Sequence, residues 1–417
     1  MIRLIVILGS MLLLVLPTFT TSAQTGGGIC PGVVNQALAQ LGTNCANMGR
    51  NSACYGFNNV EADFNVPVPE GFFTTTDERA ELMTVNALKT GPLDLAQDQW
   101  GVSILNVQAN IPDALPGQGV VFVLMGGVEV EGDVPPDEVV IPATTLESTV
   151  TIATELRSAP NTPEWLASEI IGSVALGTSV SADAIDPTGG WVRVVVGNQV
   201  GWMSVSALSG DLSSLTVVGA DSRTPMQAFF FRVGIGGVSC EEVPSLLAIQ
   251  GPRDTAIEIE VNRVNVRVTS TIILQTFPPG DVVGDILQLS VISGLAYINP
   301  DTPEQVIVPP GFTTFISLAG ELQNLGTEGD ADEKVVTGEW SVPRPLTQEE
   351  LDQFRLLERV PGNLLNYSIT IPTVQLPSGI GNPNPRLIVV DRGALNGARR
   401  LCEAGLLPVE ICDYLGV

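Results

Sequence analysis

The chain has 417 residues, with 45 acidic against 19 basic side chains and no histidine, giving a net charge of −26. A surface this negative repels phosphate backbones and anionic headgroups, which excludes nucleic acid as an expected partner; the missing histidine removes the commonest general base and the usual zinc ligand. With 43 glycines, 30 prolines and only 15% charged residues, short strands joined by turns are favoured over long helices, so the expected fold class is mainly β, in several domains.

Residues 1–23 have the layout of a signal peptide. Arg3 supplies the positive charge, Leu4 to Leu16 is an apolar run, and Thr21-Ser22-Ala23 ends in small residues that suit cleavage. The run is shorter than the roughly 20 residues of a bilayer span. The expectation is an exported chain, secreted or held in the cell envelope, that does not span a membrane once the signal is removed. Six cysteines, Cys30, Cys45, Cys54, Cys240, Cys402 and Cys412, fit an oxidising compartment. Cys402 with Cys412 is the simplest pairing, and one of the first three is expected to reach Cys240. With no C-x-x-C spacing and no histidine, neither a metal nor a cofactor is expected.

Within "CPGVVNQALAQL", Val33, Val34, Ala37, Leu38 and Leu41 recur at helical spacing, which predicts a helix near the N-terminus. "WGVSILNVQANIP" from Trp100 and "GVVFVLMGGVEVEG" from Gly119 read as strands, parted by the turn-rich "DALPGQ". Residues 24–146 are therefore expected to form a disulfide-pinned β-rich domain with an N-terminal helix.

Two of the five tryptophans fall in "GGWVRVVVGNQVGWMSVSAL", residues 189–208, each directly after a glycine. Alternation puts Trp191, Arg193 and Val195 on one face and Val192, Val194 and Val196 on the other, with Gly197-Asn198 at the turn of a hairpin. The surrounding stretches are "ELRSAPNTP" (155–163), "IIGSVALGTSVSADA" (170–184) and the paired G-W motifs. Together they resemble a bacterial SH3 (SH3b) domain over residues 147–209, about 60 of the 417. Glu155-Leu156 stand before Arg157 where that family usually has asparagine and valine.

The resemblance implies a small SH3-like barrel between two β-rich domains, and a peptide or glycan of the bacterial cell wall as ligand. Trp165, Trp191 and Trp202 would form an exposed shelf with Asp186 and Arg193 at its rim. The plainer alternative makes Trp191 and Trp202 barrel core, leaving Trp165, in a proline-flanked loop, as the contact residue. A second possible role is a structural or signalling part of the envelope that acts through contacts with other proteins.

Residues 227–342 alternate again in four runs. The last two, "ILQLSVISGLAYI" and "QVIVPPGFTTFISL", resemble the β modules of FecR-type proteins at about 284–318, and a β-sandwich or jelly roll accounts for them as well. From Thr347 the character becomes helical. Thr347 and Glu350 have capping-box spacing, and "GALNGARRLCEAGLLPVEICDYLGV" reads as two short helices broken at Gly405, so 343–417 is expected to be a helical C-terminal segment.

Catalysis is not expected. The carboxylate pairs Asp94 with Asp98, Glu129 with Glu131 and Glu258 with Glu260 are candidates for an acid glycosidase, but in a chain with 45 acidic residues such pairs arise by chance, and on strands i, i+2 pairs read as a solvent face. Gly234 to Gly237 reads as a turn, Asp330 to Glu333 as a solvated acidic loop, and Asn366-Tyr367-Ser368 as a formal glycosylation sequon.

Overall fold

The computed structural model describes residues 32–108, 119–135, 138–141, 144–165, 168–197, 199–220, 222–233, 243–252, 255–277, 285–319, 335–375, 386–389 and 392–417. The signal-peptide reading, Cys30, Cys240, the Gly234–Gly237 turn and the acidic loop at Asp330 lie outside these residues. The fold is mainly β, with several sheets. Among the described residues no helix is long and apolar enough to cross a membrane.

The largest sheet has ten strands. Along its main path they run Val335–Thr337, Phe312–Ala319, Asp285–Ser293, Thr271–Phe277, Leu246–Gln250, Gly119–Met125, Val102–Gln108, Ser52–Phe57 and Arg79–Glu81, with Arg344–Pro345 pairing onto Phe312–Ala319. Every residue of Gly119–Met125 is buried, because both faces of the sheet are covered. Val120, Phe122 and Leu124 enter one core. Val121, Val123 and Met125 enter the other, which is closed by Val33, Val34, Ala37, Leu38 and Leu41 of the N-terminal helix Gly32–Asn44 and by Leu351 and Phe354 of the helix Gln348–Phe354. Thr347 caps that second helix in a full capping box with Glu350.

An eight-stranded sheet lies on the first core. Its order is Val60–Phe64, Val85–Thr90, Val128–Gly132, Ala228–Val233, Ile257–Val261, Val264–Val268, Ala296–Ile298 and Val306–Val308. Here burial alternates: Ile257, Ile259 and Val261 face inward while Glu258 is exposed, as expected of a sheet with one wet face.

Residues 24–146 and 227–342, expected as separate domains, contribute strands to the same two sheets. Leu246–Gln250 pairs antiparallel with Gly119–Met125, and Ala228–Val233 with Val128–Gly132. Gly119–Met125, Val128–Gly132 and Ala228–Val233 fall in runs that read as strands and Leu246–Gln250 does not, and in both pairs the partner stands more than 90 residues away in the chain. The stretch read as helical from 343 holds the helices Gln348–Phe354, Arg392–Glu403 and Val409–Leu415, the last two broken at Gly405 (φ +70°), and also short strands, Thr373–Gln375 paired with Arg386–Ile388. The disulfides are Cys45–Cys54 and Cys402–Cys412.

Between these sheets in sequence lies a smaller one. Its order is Ile170–Val174, Thr154–Arg157, Gln199–Ser204, Trp191–Val196 and Ser179–Ile185, and both Leu146–Thr149 and Thr216–Val217 pair with the last of these. Trp191–Val196 and Gln199–Ser204 are the hairpin read from the sequence, turning at Gly197 (φ +62°).

Candidate functional site

The small sheet separates its side chains into two clusters. Val192, Val194, Met203, Leu156, Val180 and Ala182 lie in one, with Val196 packed against them. No tryptophan belongs to it. The indoles sit on the opposite face, where Trp202, Ala184 and Val218 are buried and Trp165, Trp191 and Val140 pack on them half-buried. The alternation in Trp191–Val196 therefore sorts the residues as the sequence implied, and both faces are covered.

Register builds the indole face. Trp202 stands directly opposite Arg193 on one neighbouring strand and opposite Arg157 on the other, and residues directly opposite one another project to the same side. Trp165 reaches back from the loop after Thr154–Arg157 and packs on Trp202 at 5.4 Å between ring centroids, tilted by 55°. The loop is tied down by Arg157, whose Nη1 donates to the Ser168 carbonyl at 3.0 Å, and by Ser168 Oγ donating to the Ala159 carbonyl at 2.6 Å. Gly201 is required for the close approach of the strands: a Cβ there would sit 2.7 Å from Leu156 Cγ and 2.8 Å from the Arg157 carbonyl oxygen.

Two of the five expected site residues are not where a rim would put them. Arg193 is 2% exposed and Asp186 1%. Arg193 forms a two-point ion pair with Asp183, Nε to Oδ1 and Nη2 to Oδ2, both 2.7 Å, and Asp183 is equally buried. Asp186 closes the turn before Trp191. Its carboxylate accepts from the Trp191 N–H at 2.7 Å and the Thr188 N–H at 3.1 Å. Both were placed at a rim because charged side chains usually face water; here each is buried with its hydrogen-bond partners supplied by neighbouring residues. Trp202, 1% exposed, is likewise sealed. Trp165 and Trp191 remain in partial contact with solvent.

Asp183 and Arg157 escaped the sequence reading. The one available signal was an aspartate inside the apolar run "SVSADAI", which on a buried strand needs a partner. The indole N–H groups of Trp165 and Trp202 and the Thr162 hydroxyl are buried with no hydrogen-bond partner among the described residues.

Glu129, Glu258, Glu260 and Asp94, among the carboxylates considered for glycoside chemistry, have partners of their own. Glu129 accepts from Nε and Nη2 of Arg232, both at 2.6 Å, and pairs with Lys89 at 3.0 Å. Glu258 pairs with Arg267, and Glu260 with Arg223. The pairs of Glu129 with Arg232 and Lys89 and of Glu258 with Arg267 run between neighbouring strands of the eight-stranded sheet, Arg223 reaches Glu260 from outside the strands, and Glu131 stands opposite Ala87 and Phe230. Asp94 accepts from the Ala96 and Gln97 amides in a turn that also contains Asp98. Asn366 of the sequon donates through Nδ2 to the Gly119 carbonyl at 2.9 Å. Among the described residues no group of three or more His, Cys, Asp or Glu is placed to hold a metal ion.

Burial alone would raise the Glu129 carboxyl, but hydrogen bonds and charge from Arg232 and Lys89 outweigh it and hold the group below its ordinary value. A carboxylate depressed in the folded state contributes stability above its unfolded pKa, about 4.3, and loses it as pH falls through the folded value. The difference in unfolding free energy between the native chain and Glu129→Gln is therefore expected to be constant from pH 8 to about 5, and to shrink progressively below about 4.3. Chemical denaturation across that range checks it; a difference that grows on acidification would contradict the ion pairing.

Compared with known proteins, the chain matches no family model, no curated protein and no solved structure.

Proposed function

We propose that this chain is an exported, non-catalytic binding protein whose small sheet, read as an SH3b-like barrel over residues 147–209, engages a cell-wall peptide or polysaccharide. The observation that carries this reading is the pair of half-buried indoles, Trp165 and Trp191, packed on the sealed Trp202. An aromatic surface with one wet side suits a ligand that offers apolar faces and scattered polar atoms. The sealed Trp202 and the buried Arg193–Asp183 pair support a rigid base for it, and the two disulfides are compatible with an oxidising compartment.

A second reading has its own support. Val140 and Val218, on the segments that lead into and out of the small sheet, pack into the indole cluster. Arg223 and Thr224 then bond to Glu260 and to the Gln108 carbonyl of the larger sheets. In that reading the indoles fasten the small sheet in place, and the protein is an envelope component that works through contacts with other proteins.

Incubating the full chain with purified peptidoglycan and sedimenting it separates the two. Binding predicts retention in the pellet. A folded protein left wholly in the supernatant would remove the first reading and favour the second.

A further inference from the structure

We propose that the Cys402–Cys412 disulfide is a redox-sensitive latch: intact, it keeps the C-terminal helical hairpin, residues 392–417, seated on the first core, and its reduction releases that hairpin while both large sheets stay folded. The helices Arg392–Glu403 and Val409–Leu415 have 12 and 7 residues, lengths at which a helix is marginal in water on its own. Backbone bonds around their junction close within the hairpin, from the Ala404 N–H to the Arg400 carbonyl, from Leu406 to Leu401 and from Cys412 to Pro408. Side chains attach it to the sheets. Ala398, Leu407, Ile411 and Leu415 are buried in the first core, and Tyr414 stands edge-on to the buried Phe312, 5.7 Å between ring centroids at 87°. Leu406 and Val409 stay exposed, so only one side of the hairpin is buried.

The two disulfides differ in access. Cys45 and Cys54 are both 0% exposed, in the core that the N-terminal helix closes, and a thiol reaches them only when that core opens. Cys402 is half-buried, in partial contact with solvent. Sulfur exposed in this way is open to thiol–disulfide exchange. One thiolate of a dithiol reductant attacks Cys402 Sγ, forming a mixed disulfide and releasing Cys412 as the thiolate; the second thiol then displaces Cys402. The reductant ends as a disulfide, and two electrons and two protons pass to the two cysteines.

The bond joins residues 10 apart in the chain. Breaking it returns conformational freedom to the opened hairpin, which by loop-closure entropy raises the open population on the order of 100-fold. Opening uncovers the side of Phe312 on which Tyr414 packs.

The oxidised full chain treated with dithiothreitol at neutral pH tests this. Freed thiols are alkylated with iodoacetamide and located by peptide mass spectrometry, and hydrogen exchange is followed in the same samples. Cys402 and Cys412 are expected to be alkylated at least about ten-fold faster than Cys45 and Cys54. Amide protection in residues 392–417 is expected to fall about ten- to hundred-fold, to persist in Ser52–Phe57 and Gly119–Met125, and to return when oxidised glutathione replaces the reductant. The variant Cys402→Ser/Cys412→Ser is expected to show the same loss with no reductant present. Equal alkylation rates at the two disulfides, a reduced hairpin or a double variant as protected as the oxidised chain, protection that does not return, or a loss that spreads to both strands would each overturn the latch.

Discussion

Replacing Trp202 by alanine is expected to destabilise the small sheet by about 3–5 kcal/mol, at the upper end of what one side chain costs. The indole is 1% exposed, stands between Arg157 and Arg193 in register, and is covered by Trp165. Truncation removes its buried area and leaves a cavity that the neighbouring strands cannot close, because Gly201 already brings them to contact with Leu156. Hydrogen exchange at the backbone amides of residues 146–217 is the suitable measurement, since it reads local opening without requiring the whole chain to unfold in one step. Trp202→Phe is expected to cost less, as a ring still fills part of the site. A cost below about 1 kcal/mol for Trp202→Ala would mean that the indole is not structural.

Arg193→Ala is expected to cost a similar amount, about 3–5 kcal/mol, for a different reason: it leaves the Asp183 carboxylate buried without its counter-charge. The pair is bidentate, and both partners are almost wholly out of water. Much of the loss is the penalty of the abandoned charge, so removing both partners tests the mechanism. The double change Arg193→Met with Asp183→Leu is expected to recover most of the stability lost by Arg193→Ala alone. Hydrogen exchange of the small sheet distinguishes the outcomes, and a double variant no better than the single one would contradict the account.

These two side chains also mark where the sequence stopped being informative. Local patterns identified the buried face of Gly32–Asn44, the Thr347–Glu350 capping box, the break at Gly405, the Cys402–Cys412 bridge and the hairpin at Gly197. Each depends on residues within about ten positions of one another. Strand partnership does not, so Gly119–Met125 gave no sign that Leu246–Gln250 would lie beside it. The run reads only as a strand; its burial on both faces, between the two cores, is a finding of the structure. Arg193 and Asp186 were misplaced although their partners, Asp183 for the first and Thr188 and Trp191 for the second, lie within ten positions. Whether a charged side chain faces water depends on the residues around it, and the Asp183 that buries Arg193 comes from another strand. The three tryptophans were legible as one group, though their division into one sealed and two half-buried rings required the cluster formed by Val140, Ala184 and Val218.

The central claim is that Trp165 and Trp191 contact a ligand on a base formed by Trp202. The most direct measurement is sedimentation of the full-length double variant Trp165→Ala/Trp191→Ala with purified peptidoglycan, beside the native chain, with hydrogen exchange of residues 146–217 as the check on folding. The account predicts that the native chain sediments with the wall while the double variant, still protected in the Trp191–Val196 and Gln199–Ser204 hairpin, stays in solution. A double variant that sediments as fully as the native chain would contradict it.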